Sequence, residues 1–190
     1  MNIYKLDLYQ PYKYFMFYKL LSLEQESVFT RQLQDLYQSA LQPEFSDFIR
    51  PYAEIQAAVP ELAAEFNRLG LNIRHCYLFR TAPYDRLPVH QDLDREHGPN
   101  LVLNWPLFNC EQTPMSFYHV RRPGTVDLYP KYQQRHQLFD DSDCEMLEEF
   151  ELAHPCLIDV HTPHSVINDR PTYRVIMSFR FHDVPMHLWN

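Results

Sequence analysis

The chain has 190 residues, of which 45% are hydrophobic and 22% charged, with a formal net charge of -8. These are the values of a globular domain long enough to bury a core, and they exclude a disordered or collagen-like chain. The acidic balance disfavours a protein that holds nucleic acid by neutralising phosphates, since that requires a basic face.

The four cysteines, Cys76, Cys110, Cys144 and Cys156, form no C-x-x-C pair. Neither a zinc knuckle nor a disulfide framework is expected, and free thiols in a reducing, cytoplasmic setting fit best. The opening residues from Met1 to Asp7 lack a basic patch leading into an apolar run, and the apolar stretch from Tyr14 to Tyr18 is flanked by Lys13 and Lys19. Neither a signal peptide nor a membrane span is expected.

In chain order, Ser22 with Gln25 three positions on reads as a cap for a helix over Leu23–Leu41, with apolar positions at Leu23, Val28, Leu33, Leu36, Tyr37 and Leu41. A second helix is predicted from Glu61 to Leu69, where Leu62, Ala63, Phe66 and Leu69 share a face and Gly70 offers a left-handed stop. Residues 1–70 therefore read as helical cladding and 71–190 as a β-rich core of the same domain. The predicted strands lie near Arg74–Arg80, Leu101–Leu107, Met115–Val120, Thr125–Tyr129, Cys156–Val160, His164–Asn168 and Tyr173–Phe181. Short apolar runs separated by Pro, Asp and Asn argue for an antiparallel barrel or sandwich. With 3 glycines and 15 prolines, few two-residue glycine hairpins are expected and longer loops follow. The Gln-, Asp- and Glu-rich segment Lys131–Glu151 reads as an insertion, either a lid or a surface helix around Cys144–Phe150.

Chemistry concentrates in His90-Gln91-Asp92, in His164, and in Arg174 ten positions later. Two imidazoles and a carboxylate suit iron(II) and leave coordination positions open. With 10 histidines and 25 acidic residues in the chain, an acid two places after a histidine arises about once by accident, so the pair has no force alone. Read blandly, His90 is a solvated loop residue and Asp92 a turn former beside the loop-like Leu93–Gly98. His161 competes with His164, since both follow the strand Cys156–Val160; a zinc helix is disfavoured because Pro163 separates them and no glutamate adjoins them.

Taken in order, the strand before the pair, His90, Asp92, the strands between, His164-Ser165-Val166-Ile167-Asn168, then Arg174 and Ser178, the region Arg74–Phe181 resembles the iron(II)/2-oxoglutarate-dependent oxygenases. The resemblance implies a double-stranded β-helix, or cupin-like jelly-roll, with the helices packed on one sheet. Iron(II) would be held by His90, Asp92 and His164, and 2-oxoglutarate by Arg174, whose planar fork gives a carboxylate two charge-assisted bonds. Period two puts Ile176, Ser178 and Arg180 on one face of the strand, within reach of that carboxylate or the cavity mouth. Tyr77, Asn104 and Tyr118 are further candidates for the co-substrate pocket, and Trp105 and Phe117 are assigned to core or substrate wall. The implied activity is hydroxylation of a small molecule or a peptide side chain, using dioxygen. The competing reading is a cupin-like metal enzyme or binding protein that does not use 2-oxoglutarate; the arginine after the last ligand separates the two.

Overall fold

Gly70, with φ of +68°, closes the helical part of the chain, and from there the backbone runs almost entirely as antiparallel strands. The computed structural model describes residues 16–41, 48–93, 100–129 and 134–189. Residues 1–15, including the opening segment read above for a leader, lie outside the described residues, as do 94–99 of the presumed loop and 130–133 of the presumed insertion.

Eight strands make the core: β3 (Ile73–Thr81), β4 (Asp85–Asp92), β5 (Leu101–Phe108), β6 (Met115–Val120), β9 (Cys144–Phe150), β10 (Cys156–Asp159), β11 (His164–Asn168) and β12 (Arg174–Phe181). Their pairings are nested: β6 with β9, β5 with β10, β4 with β11 and β3 with β12. This is one long antiparallel hairpin wound up on itself, its successive pairs falling alternately into two sheets. The fold is a double-stranded β-helix. Four more strands extend its edges: β1 (Tyr18–Leu20) beside β10, β2 (Phe48–Pro51) beside β3, and the hairpin of β7 (Thr125–Tyr129) and β8 (Gln134–Leu138) beside β4. Each sheet therefore has six strands.

The sheet containing β12 is covered on both faces, which is why every residue of β12 is buried. Val175, Met177, Phe179 and Phe181 face outward into a core shared with Phe29 and Leu33 of α1 (Glu26–Leu36), Ile55 of α2 (Tyr52–Ala58) and Leu62 and Phe66 of α3 (Pro60–Arg68). Trp105, fully buried in this layer, donates its indole N–H to Thr30 Oγ1 at 2.9 Å, which ties α1 to β5. Alternate residues face the other sheet. Val102, Ile158 and Ile176 meet Met115, Phe117, Phe150 and Val166, and Tyr18 stacks on Phe150 at 4.0 Å between ring centres. Trp105 and Phe117 are thus both core residues. They dominate their layers because aromatic burial contributes most per side chain.

Several details depart from the sequence reading. The first helix begins at Glu26, with Gln25 as an uncapped N-terminal flank. Ser22 cannot cap it, because Leu21 and Leu23 are buried and the Leu21 N–H is bonded to the Pro155 carbonyl, which holds this stretch extended. Phe29 is buried in place of Val28, which is 49% exposed. The segment Cys144–Phe150 is a strand and not a surface helix. Glu, Met and Leu favour helix intrinsically, but pairing with β6 along its whole length overrides that preference.

The strand β4 was also not predicted, since Pro88 interrupts it. Its register explains the tolerance: His164 faces His90 and Val166 faces Leu87, so Pro88 and Val89 together oppose Ser165 in a bulge. Pro106 of β5 occupies a comparable irregularity opposite β12. In each case the missing N–H falls where the ladder is already broken.

Asn168 closes the end of the barrel. Its amide nitrogen donates to the carbonyls of Thr81, Ala82 and Thr172 at 2.8–3.1 Å, and its oxygen accepts from the Arg170 N–H. The side chain is fully buried, so its removal would leave the buried Thr81 carbonyl without this donor and a polar gap between the two turns. Asn168→Ala is expected to cost about 2–3 kcal/mol, seen as a lower urea midpoint with an unchanged slope.

Candidate metal centre and its cavity

Pairing of β4 with β11 brings His90 directly opposite His164, with ring centres 4.3 Å apart. Asp92, two residues beyond His90, lies on the same side of the strand. One ligand atom from each of His90, Asp92 and His164 lies within 4.8 Å of the others, and all three residues are buried. His161 is outside this group; its backbone N–H donates to Asp159 Oδ1 in the turn after β10.

Both imidazoles are held by the same device. His90 Nδ1 lies 2.8 Å from the Pro88 carbonyl, and His164 Nδ1 lies 2.9 Å from the Thr162 carbonyl. A carbonyl only accepts, so each Nδ1 must carry the proton and each Nε2 keeps a free lone pair. This is the tautomer a metal ligand needs, fixed from outside the coordination shell. The Pro88 carbonyl is available for this because it belongs to the bulge. Burial pushes the His164 imidazole from 6.5 down to about 3, so it is neutral near neutral pH.

Asp92 is positioned from three sides. Its N–H donates to the Val160 carbonyl at 2.9 Å, its Oδ2 accepts from Arg180 Nη2 at 3.1 Å, and its Oδ1 lies 3.8 Å from His90 Nε2. Burial alone would raise its carboxyl, but Arg180 and then the neighbouring histidines overcome that and hold it below 3.8. One oxygen is thereby committed to the guanidinium and the other faces the imidazoles. Arg180, expected near the cavity mouth, is instead buried beside the centre, with its guanidinium 5.3 Å from the Tyr77 ring centre.

A cavity of about 210 Å³ opens beside these residues between the two sheets. Arg174, Ile176, Ser178 and Arg180 all line it, as the period of β12 requires, together with Asn104 of β5. Arg174 is 2% exposed and has no hydrogen bond or ion pair among the described residues. Burial lowers its affinity for the proton, and Cys110 opposes this only weakly. Ser178 Oγ and Asn104 Oδ1, on directly paired residues, are likewise buried without partners. An unpaired buried guanidinium is costly, and an anion seated against it would offset that cost.

Two other sequence candidates fall elsewhere. Tyr77 is buried under Arg180, stacked on Phe79, and does not line the cavity. Tyr118 is outside it too, with its hydroxyl 3.0 Å from Ser165 Oγ. Ser165 alternates with His164 and so sits on the opposite face of β11. Tyr118 alternates with the inward-facing Phe117 on β6 and so lies on that same outer face.

Sequence reasoning missed His136. It lies on β8 in direct register with Asp92, its Nε2 3.4 Å from Asp92 Oδ1 and its ring 5.1 Å from that of His90. Arg135-His136-Gln137 carries no spacing signal; only the addition of β8 to the edge of β4 brings it to the site.

No family model and no curated protein matches the sequence. Solved structures similar to the chain include EvdO2 from Micromonospora carbonacea var. aurantiaca (13% identity, 82% of each chain, TM-score 0.47). EctD from S. alaskensis, solved with 2-oxoglutarate and 5-hydroxyectoine, is 13% identical over 86% of this chain and 71% of that one, with a TM-score of 0.46. A prolyl-4-hydroxylase from Pseudomonas putida is 15% identical over 88% and 94%, with a TM-score of 0.44. These likenesses reach no further than overall fold, and the chemistry of the site rests on its own geometry.

Two outcomes follow. The unfolded state binds a proton at His164 near 6.5 whereas the folded state does so only near 3, so stability contributed by this residue is complete above 6.5 and is lost progressively toward 3. The metal-free protein should therefore lose urea midpoint between pH 7 and pH 5, and His164→Gln should flatten that slope. Arg174→Met, which replaces an unpaired buried charge with an apolar chain of similar length, should stabilise the ligand-free protein by about 1 kcal/mol or more, read from the same denaturation.

Proposed function

We propose that the chain is an iron(II)- and 2-oxoglutarate-dependent oxygenase that hydroxylates a small organic substrate. The observation that carries this reading is the coincidence, in one cavity, of a buried His90–Asp92–His164 cluster and the guanidinium of Arg174, which has no partner among the described residues. Two imidazoles whose Nδ1 atoms are held on backbone carbonyls, plus one carboxylate oxygen, would fit a ferrous ion and leave it open toward the cavity. When bound, the metal and 2-oxoglutarate supply the oxidising power for C–H hydroxylation, with release of succinate and carbon dioxide.

The protein's part is placement. Arg174 would take the distal carboxylate of 2-oxoglutarate in a bidentate pair, and Ser178 would add a hydroxyl donor. Val102, Met115, Val160, Val166 and Ile176 line the same cavity and keep water from the reacting atoms. Arg180 would hold Asp92 to a single free oxygen, limiting the carboxylate to one bond to the metal. A cupin-like enzyme without 2-oxoglutarate has one feature in its favour, the third imidazole of His136. Yet His136 lies outside the group whose ligand atoms converge, and such an enzyme leaves the buried charge of Arg174 unexplained.

Anaerobic addition of iron(II) and 2-oxoglutarate is expected to give a weak visible charge-transfer band. Arg174→Ala should weaken co-substrate binding by roughly 10- to 100-fold, and His90→Ala should lose iron while keeping its circular dichroism spectrum. A wild-type protein without the band, or a band indifferent to Arg174→Ala, would rule out the co-substrate assignment.

A further inference from the structure

We infer that Asp127 and His136, on the β7–β8 hairpin, form a subsite for the protonated amine of a small substrate. This rests on the oxygenase reading for what the substrate is used for, but its binding chemistry stands on different residues. The hairpin extends the sheet from the edge of β4, so that Asp92, His136 and Asp127 occupy one row across three neighbouring strands. The next row is His90, Leu138 and Thr125. The face that carries the metal-centre residues on β4 thus continues across β8 and β7 toward solvent. Asp127, His136 and Leu138 all line the cavity.

Asp127 is exposed at this rim and has neither a hydrogen bond nor an ion pair among the described residues. The neighbouring arginines are engaged elsewhere: Arg86 with Asp141, Arg121 with Glu145 and Arg122 with Asp143. Among the described residues its carboxylate therefore meets no cation. Leu138, in the next row of β8, gives the cavity apolar surface beside it, and Leu87 and Pro88 continue that surface along β4. A carboxylate set in an apolar rim favours a cation that can donate hydrogen bonds, and it disfavours an anion. The cavity consequently has two ends of opposite sign, Arg174 deep inside and Asp127 at the mouth. Two strand spacings, about 10 Å, separate the backbone of Asp127 from that of Asp92. A short aliphatic amine bound at Asp127 would thus extend toward the metal centre, with a carbon in the middle of the cavity. The total volume, about 210 Å³, restricts the occupant to a small molecule.

Gly124 sets the position of this wall. A Cβ there would lie 2.0 Å from the Leu138 carbonyl oxygen and 2.7 Å from the Phe139 ring, so only glycine lets β7 start this close to β8.

The test is calorimetric titration of the full chain with 1-pentylamine and with 1-pentanol, once metal-free and once with iron(II) and 2-oxoglutarate under anaerobic conditions. Pentylamine should bind, pentanol should bind at least roughly tenfold more weakly, and Asp127→Asn should reduce pentylamine affinity by a similar factor, with Asp127→Glu restoring part of it. No binding of pentylamine, equal affinity for the two probes, or no change in Asp127→Asn would overturn the subsite. The charge-transfer band separates the two proposals. Asp127-dependent amine binding without a band supports the subsite and discards the oxygenase reading, whereas a normal band with no preference for the amine does the opposite.

Discussion

Everything at the centre depends on the register between β4 and β11. Side chains alternate across a strand, so slipping this pair by one residue would send His90 and Asp92 to the outer face and leave His164 alone inside. The register is fixed at both ends. Asn168 clasps the carbonyls that flank the turns into β4 and β12, and the bulge at Pro88 and Val89 absorbs the one extra residue that β4 carries between Leu87 and His90. The same bulge frees the Pro88 carbonyl to orient the His90 ring. A proline that would ordinarily break a strand therefore contributes to aligning the His90 ring.

The charge arrangement around the cluster is uneven in an informative way. Arg180 and Arg174 sit on the same face of one strand, six positions apart, and both are almost wholly buried. Arg180 is paired with Asp92 at 3.1 Å, and this pair keeps the carboxylate charged despite its burial. Arg174 has no acid paired with it among the described residues. Natural proteins rarely keep a buried charge unpaired unless a ligand completes the pair, because a hydrophobic replacement would be more stable. The two arginines therefore differ in what completes them: Arg180 has Asp92 at hydrogen-bond distance, whereas Arg174 faces the cavity without an acid among the described residues.

Much of this was legible in the sequence, and the failures have physical causes. The strands β3, β5, β6, β7, β10, β11 and β12 announced themselves as short apolar runs, and the ligand cluster emerged from the order of His90, Asp92, His164 and Arg174. The strand β4 did not, because its N-terminal half is polar and exposed and contains a proline whose bulge cannot be inferred without the partner strand. The strand β9 was obscured by helix-favouring residues, since its extended form derives from β6. His136 was invisible for a related reason. Its position is set by which edge the β7–β8 hairpin joins, and a contact between strands more than forty residues apart leaves no local trace.

The two sheets bear different mechanical burdens, and this shapes how the site can change. The sheet of β12 lies between the helices and the second sheet, with Leu103, Trp105, Met177 and Phe179 filling the outer layer at close-packed density. A substitution there would be felt throughout. The β7–β8 hairpin, by contrast, occupies an edge of the other sheet, joined to the core only through β4, and Val126 on its outer face is 51% exposed. Changes on such an edge cost little stability, because few packed neighbours must adjust. His90, Asp92, His164 and Arg174 are anchored in strands that cannot move without disrupting the fold, whereas Asp127 and His136 stand on an edge hairpin. Substitutions at Asp127 or His136 are thus expected to leave the register of β4 with β11 intact, whereas one at Gly124, where the Leu138 carbonyl leaves no room for a Cβ, is not.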